Sequence, residues 1–166
     1  MNDLNPNYLP TLLQYFEEEL AGVTYFRQLG AHADSPDVHE KFDLLADVEI
    51  HAAAMVVPLI EKYQLETRTD EELIAEGLAD AAEHRHYTWE SFVQYMLERF
   101  PLYMDDFHGL ETMAPAEDLP WLEALTGHET AAIEFAKREA DGDHTSTGPL
   151  HAYLAMLRPA ANATEA

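Results

Sequence analysis

Four carboxylates interrupt stripes of otherwise apolar residues in this sequence, and each is a candidate for chemistry. Alternate steps of three and four from Phe42 run through Leu45, Glu49, Ala52, Val56, Leu59 and Tyr63, the spacing of a helix face turned toward a core. The same count from Leu9 passes Leu12, Phe16, Glu19, Val23, Phe26, Gly30 and Ala33. From Phe92 it passes Met96, Arg99, Tyr103, Asp106, Leu110 and Met113, and from Leu122 it passes Leu125, Glu129, Ala132 and Ala136. Burying an unpaired carboxylate costs several kcal/mol, so each of these acids must be protonated, paired or bound to a cation. Two close carboxylates sharing one proton would satisfy the requirement, and so would a metal ion.

The elements that must carry these residues are all helical. The spacing predicts a first helix over 9–33 and a second up to about Tyr63, with Ser35 as N-cap and Pro36 at its first position. Pro58 is expected to kink the end of the second helix. Thr69, Asp70, Glu71 and Glu72 form a capping box that opens a shorter helix to about Arg85, read as a crossover segment. Thr88 caps a long helix from Trp89 to about Met113, with a bend expected at Pro101. A turn over 114–120 leads to a fourth long helix, with Lys137 and Arg138 where the helix dipole favours them. A polar linker over 141–148, a short helix over 149–157 and a frayed tail over 159–166 complete the chain. No segment alternates like a strand. The expected fold is all-α: an up-down four-helix bundle with a short crossover helix and a short C-terminal helix, forming one domain over 1–166 with its core at 9–141.

Short turns make consecutive helices antiparallel neighbours, so residues equally far from a turn lie at similar levels. Glu19 and Glu49 are nearly equidistant from the turn at Asp34 and Ser35, and Asp106 and Glu129 from the turn near Glu117. Each long helix is therefore expected to contribute one inward carboxylate.

That arrangement resembles the ferritin-like superfamily, four-helix bundles with a dinuclear metal site fed by all four helices. Glu18 or Glu19 and Asp106 resemble the family's single carboxylates. Glu49 and Glu129 resemble the glutamates of its two Glu-x-x-His motifs, and Tyr25 resembles an aromatic found near such sites. The motifs are degenerate: Ala52 and Ala132 stand where the family has histidine. His51 and His128 are neighbours of the glutamates, but at about 200° and about 100° around a regular helix they share no face with them. The resemblance implies a metal-handling protein or a metal-dependent oxidoreductase, with Glu19, Glu49, Asp106 and Glu129 as ligands of a di-iron or dinuclear manganese centre. A carboxylate-only site would suit hard cations such as Mn²⁺, Mg²⁺ or Ca²⁺. The alternative, from a different class, is a ferritin-like bundle without metal that serves as a structural or partner-binding module.

Composition narrows the partners. The chain has 166 residues, 47% of them hydrophobic, which is enough for one substantial core. Nine Lys and Arg against 32 Asp and Glu give a formal charge of -23, which disfavours nucleic acid and anionic membrane surfaces. Cysteine is absent, which removes thiolate ligands and nucleophiles. The first residues lack a secretion pattern and no run is long enough to span a bilayer, so a cytoplasmic protein is expected. Apolar residues such as Trp121 and Tyr153 make a homodimer an expectation. Glu83-His84-Arg85-His86 contains a literal Glu-x-x-His but reads as a solvated helix end, and Asp105 with His108 reads as a surface pair.

Overall fold

The computed structural model describes residues 4–160, and residues 161–166 of the expected tail lie outside the described residues. Six α-helices and one 3-10 turn make up the fold among the described residues, with no strand. They are α1 (Tyr8–Ala31), α2 (Pro36–Lys62), α3 (Asp70–His84), α4 (Trp89–Met113), α5 (Leu119–Ala140) and α6 (Gly148–Leu154); the 3-10 turn Ala116–Asp118 precedes α5.

The helix starts follow from local chemistry. Ser35 accepts from the Val38 amide and Thr88 from the Ser91 amide, while Thr69 and Glu72 complete a reciprocal capping box. α2 and α4 continue through Pro58 and Pro101 as single helices. α5 begins at Leu119, earlier than its apolar stripe, because Pro120 suits a first turn whose amides have no helical partner. α6 stops at Leu154, three residues short of the expected end, and Leu157 is fully in solvent.

α1 and α2 run antiparallel, with Tyr8 against Tyr63 at one end and Gly30 beside Phe42 at the other. α4 and α5 do the same, with Phe107 against His128 and Trp89 against Phe135. The two pairs meet chiefly through α2 and α5, and α6 packs against both of these helices. α3 lies along α1, held by two devices. The first is Gly77, where an added Cβ would collide with the Ala21 carbonyl oxygen and the Thr24 side chain. The second is Glu17, buried on α1, which accepts from the Arg68 amide and from Arg68 Nε, each at 2.8 Å. α1 and α4 touch sparingly, and a groove opens between them.

Tyr8, Leu12, Leu45, Met55, Leu59, Phe92, Met96, Leu122, Leu125 and Phe135 are among the fully buried side chains of the core. At the end where α1 starts and α2 stops, Asp118 has no solvent exposure and accepts from Tyr8 Oη (2.8 Å), Tyr63 Oη (2.7 Å) and Lys62 Nζ (2.6 Å). No helix among the described residues is long and apolar enough to cross a membrane.

On α4 the inward face differs from the expected one. Phe92, Val93, Met96, Phe100, Phe107 and Leu110 are buried, whereas Arg99 and Asp106 are exposed. Steps of three and four from Met96 allow either Arg99 or Phe100, and then either Asp106 or Phe107. The aromatic residues take the interior because their burial is favourable and that of the charges is not.

Candidate metal centre

Glu19 on α1, Glu49 on α2 and His128 on α5 converge in the interior. One ligand atom from each lies within 4.8 Å of the other two. Glu129, also on α5, stands beside them, with Oε2 3.6 Å from His128 Nε2. Glu19, Glu129 and His128 are only 4%, 5% and 3% exposed, so the acids have little water to solvate them. Of the consecutive Glu17, Glu18 and Glu19, it is Glu19 that faces this cluster, while Glu18 is exposed.

Gly22, one turn beyond Glu19 on the same helix, makes room for the cluster. An added Cβ there would sit 2.7 Å from Glu49 Oε2, so a side chain at this position would displace the Glu49 carboxylate.

His128 is oriented from behind. Its Nδ1–H donates to the Leu125 carbonyl one turn back, and since a carbonyl can only accept, the Nδ1 nitrogen carries the proton. In the neutral imidazole Nε2 then bears the lone pair, aimed at the carboxylates. A backbone carbonyl fixing the tautomer in this way is the usual support of a metal-binding histidine. Phe107 packs edge-on against the ring at 5.1 Å. Tyr153 of α6 stands with its ring 6.3 Å from the imidazole and donates its hydroxyl to the Ala124 carbonyl. Burial, then the charges of Glu19 and Glu49, push the Tyr153 phenol well above its ordinary range and keep it neutral.

Glu19 Oε2 lies 3.1 Å from His128 Nε2, within ion-pair distance. The oxygen has no hydrogen-bond partner, and Glu129 Oε1 has none either. Two buried oxygens without a hydrogen-bond partner leave a need that a shared ion would meet. A metal at roughly 2.0 to 2.2 Å from each donor separates neighbouring donors by roughly 3 to 4 Å, so the cluster needs at most a small contraction.

The expected set of four carboxylates is therefore corrected. Glu19, Glu49 and Glu129 come together, but Asp106 is exposed on α4 and only lines the mouth of the groove. His128, expected to lie off the face of Glu129, reaches the cluster because α5 is buried on several sides. α2, α4 and α6 all pack against it, and Trp121, Ala124, His128, Ala131 and Phe135 are buried as well as the seam. His51 points away, as its helical angle requires, and its Nε2 lies 3.0 Å from the Met156 carbonyl. Tyr25 does not join the cluster; its hydroxyl is 2.8 Å from His84 Nδ1, so His84 is half-buried against α1 and not a freely solvated helix end.

Burial, followed by the charge of Glu49, raises the carboxyls of both Glu19 and Glu129 well above the ordinary 4.5. Such groups stay protonated in the fold at pH values where the unfolded chain has released the protons. The folded state then binds more protons, and stability falls as pH rises above 4.5 toward the raised values. For the metal-free protein, urea midpoints are expected to decline as pH rises above 4.5, and Glu19→Gln should flatten the decline. A slope identical in the variant would assign the effect to the overall charge instead.

No family model matches the chain, and no curated protein or solved structure matches it.

Proposed function

We propose that this chain is a ferritin-like metal-binding protein in which α1, α2, α4 and α5 form an up-down four-helix bundle around one transition-metal ion. Glu19, Glu49 and His128 hold the ion, with Glu129 as the fourth donor. The observation that carries this reading is the convergence of three ligand atoms within 4.8 Å, one of them on a histidine whose other nitrogen is pinned to a carbonyl. The orphaned oxygens of Glu19 and Glu129 fit the same reading, since a cation would satisfy both.

One imidazole among carboxylates suits Mn²⁺ or Fe²⁺ better than Mg²⁺ or Ca²⁺, which prefer oxygen donors alone. Such an ion supplies Lewis-acid or redox chemistry when bound. The donors at hand serve one ion; a dinuclear centre would have to draw on Glu18 or Asp106 across the groove. The protein's part is to exclude water through Phe107 and Tyr153 and to hold His128 in one tautomer.

A second reading is favoured by the neutralised carboxyls of Glu19 and Glu129. Protons alone then satisfy the cluster, and the bundle serves as a metal-free structural or partner-binding module.

Metal analysis of protein purified without added metal separates the two. The metal reading expects about one Mn or Fe per chain and, at free ion about 100 times Kd, a stabilisation of about 2.7 kcal/mol that Glu49→Gln removes. Less than about one ion per ten chains with no thermal shift in Mn²⁺ or anaerobic Fe²⁺ would leave the metal-free module standing. Because the ligands must lose protons, metal affinity should rise with pH, opposite to the trend of the metal-free fold.

A further inference from the structure

The groove between α1, α3 and α4 has a volume of about 820 Å3 and ends at the carboxylate cluster. Its walls are aromatic: Tyr15, Tyr25, Tyr95, Phe100, Tyr103 and Phe107. Carboxylates line the rest, Glu18, Glu76, Asp80, Glu83, Glu98 and Asp106, with Glu19, Glu49 and Glu129 at the inner end. Among the lining residues a single Arg or Lys, Arg99, stands against them, and Arg68, outside the lining, pairs with Glu76. The Arg99 guanidinium lies 5.5 Å from the centre of the Tyr103 ring, so the wall already carries a cation on an aromatic face. Burial, and then the neighbouring charges of Glu76 and Glu83, raise the Asp80 carboxyl, as expected where negative charge lacks a counter-charge. At the inner end Glu129 lines the groove, and its Oε1 is buried without a donor.

From this combination we infer that the groove binds an aralkyl ammonium ion. The ammonium group sits among the carboxylates of α1 and α3 at the mouth, and the flat apolar body lies between the tyrosines. In the metal-free protein a hydrogen-bond donor at the far end of the ligand meets Glu129 Oε1, the oxygen a bound ion would otherwise satisfy. Aromatic faces attract cations and stack on flat apolar bodies, which an anion or a purely aliphatic acid could not use. A cluster of negative charge in a concave, low-dielectric site also concentrates small cations from solution. The cavity is of the size that small-molecule sites occupy.

This inference goes beyond metal binding and does not require it, because the walls and the rim carry it. The probe is tyramine, which combines an ammonium, an aromatic body and a donor hydroxyl. Its neutral counterpart, 4-ethylphenol, lacks the charge. Titration calorimetry on the full chain, once with chelator and once with saturating Mn²⁺, is expected to show tyramine binding at least about tenfold more tightly than 4-ethylphenol in both forms. The exposed-rim variant Asp80→Asn/Glu83→Gln should reduce that preference to about threefold or less while leaving the Mn²⁺ thermal shift unchanged. Tyr95→Leu should weaken both ligands, since it removes wall rather than charge. Equal affinity for the two probes, no binding of tyramine in either form, or an unaltered preference in the rim variant would overturn the inference. Absence of Mn²⁺ binding with tyramine bound selectively would instead overturn the metal reading and leave the groove assignment in place.

Discussion

His128→Ala is expected to lower Mn²⁺ affinity by at least about 100-fold and to abolish the metal-dependent rise in unfolding temperature. The imidazole is the one nitrogen donor in the cluster, and it is held by the Leu125 carbonyl and packed by Phe107 and Tyr153. Removing it leaves only carboxyls, two of which burial keeps protonated and which must give up those protons, against mutual repulsion, to hold an ion. Titration calorimetry of the variant tests this, and added imidazole should restore part of the affinity by entering the vacated space. Gly22→Ala offers an orthogonal perturbation. It removes no ligand, but its Cβ would stand 2.7 Å from Glu49 Oε2 and push that carboxylate out of place. Metal affinity should fall in this variant too. If both variants bound Mn²⁺ as the parent does, the ion would sit elsewhere, and Glu19, Glu49 and His128 would be a proton-sharing core cluster.

Asp118→Ala is expected to destabilise the fold by about 3 to 5 kcal/mol, read as a fall in the urea midpoint at unchanged slope. Asp118 is fully buried and accepts from three donors that arrive from two segments: Tyr8 of α1, and Lys62 and Tyr63 at the end of α2. The largest share of the loss comes from Tyr8, also fully buried, whose hydroxyl would keep no partner. Burial, then the hydrogen bond and charge of Asp118, raise its phenol and keep it a neutral donor. Lys62 contributes less, because its side chain is 41% exposed and water can replace the lost contact. Asp118→Asn should fall between, since the amide oxygen can still accept. Metal affinity should not change: Glu129 lies 11 residues along α5, roughly 16 Å away. Loss of metal binding together with stability would mean that the whole fold, and not its end, depends on this network.

Much of this molecule is legible in local sequence. Ser35, Thr69 and Thr88 cap their helices through hydrogen bonds that span three residues, so no distant segment is needed to fix those starts. The inward turn of Glu19, Glu49 and Glu129 follows from counting threes and fours along stripes whose other members are apolar. Asp106 and His128 were read the wrong way round because the count is degenerate by one residue. On α4 two registers fit the same anchors, and only contact with α1 and α5 selects Phe100 and Phe107 over Arg99 and Asp106. On α5 the pattern shows one buried face, whereas α2, α4 and α6 together bury several. The Asp118 network was equally hidden, since its members stand 55 and 110 residues apart.

Sequence by itself determined the all-helical class, the order and starts of the helices, and three of the acids that point inward, because periodicity and caps act within a few residues. Tertiary packing decided that a histidine joins those acids, that Asp106 stays outside, and that α3 lies along α1 beside an open groove. How far around a helix the interior extends depends on how many neighbours it has, and that number is a property of the assembled fold.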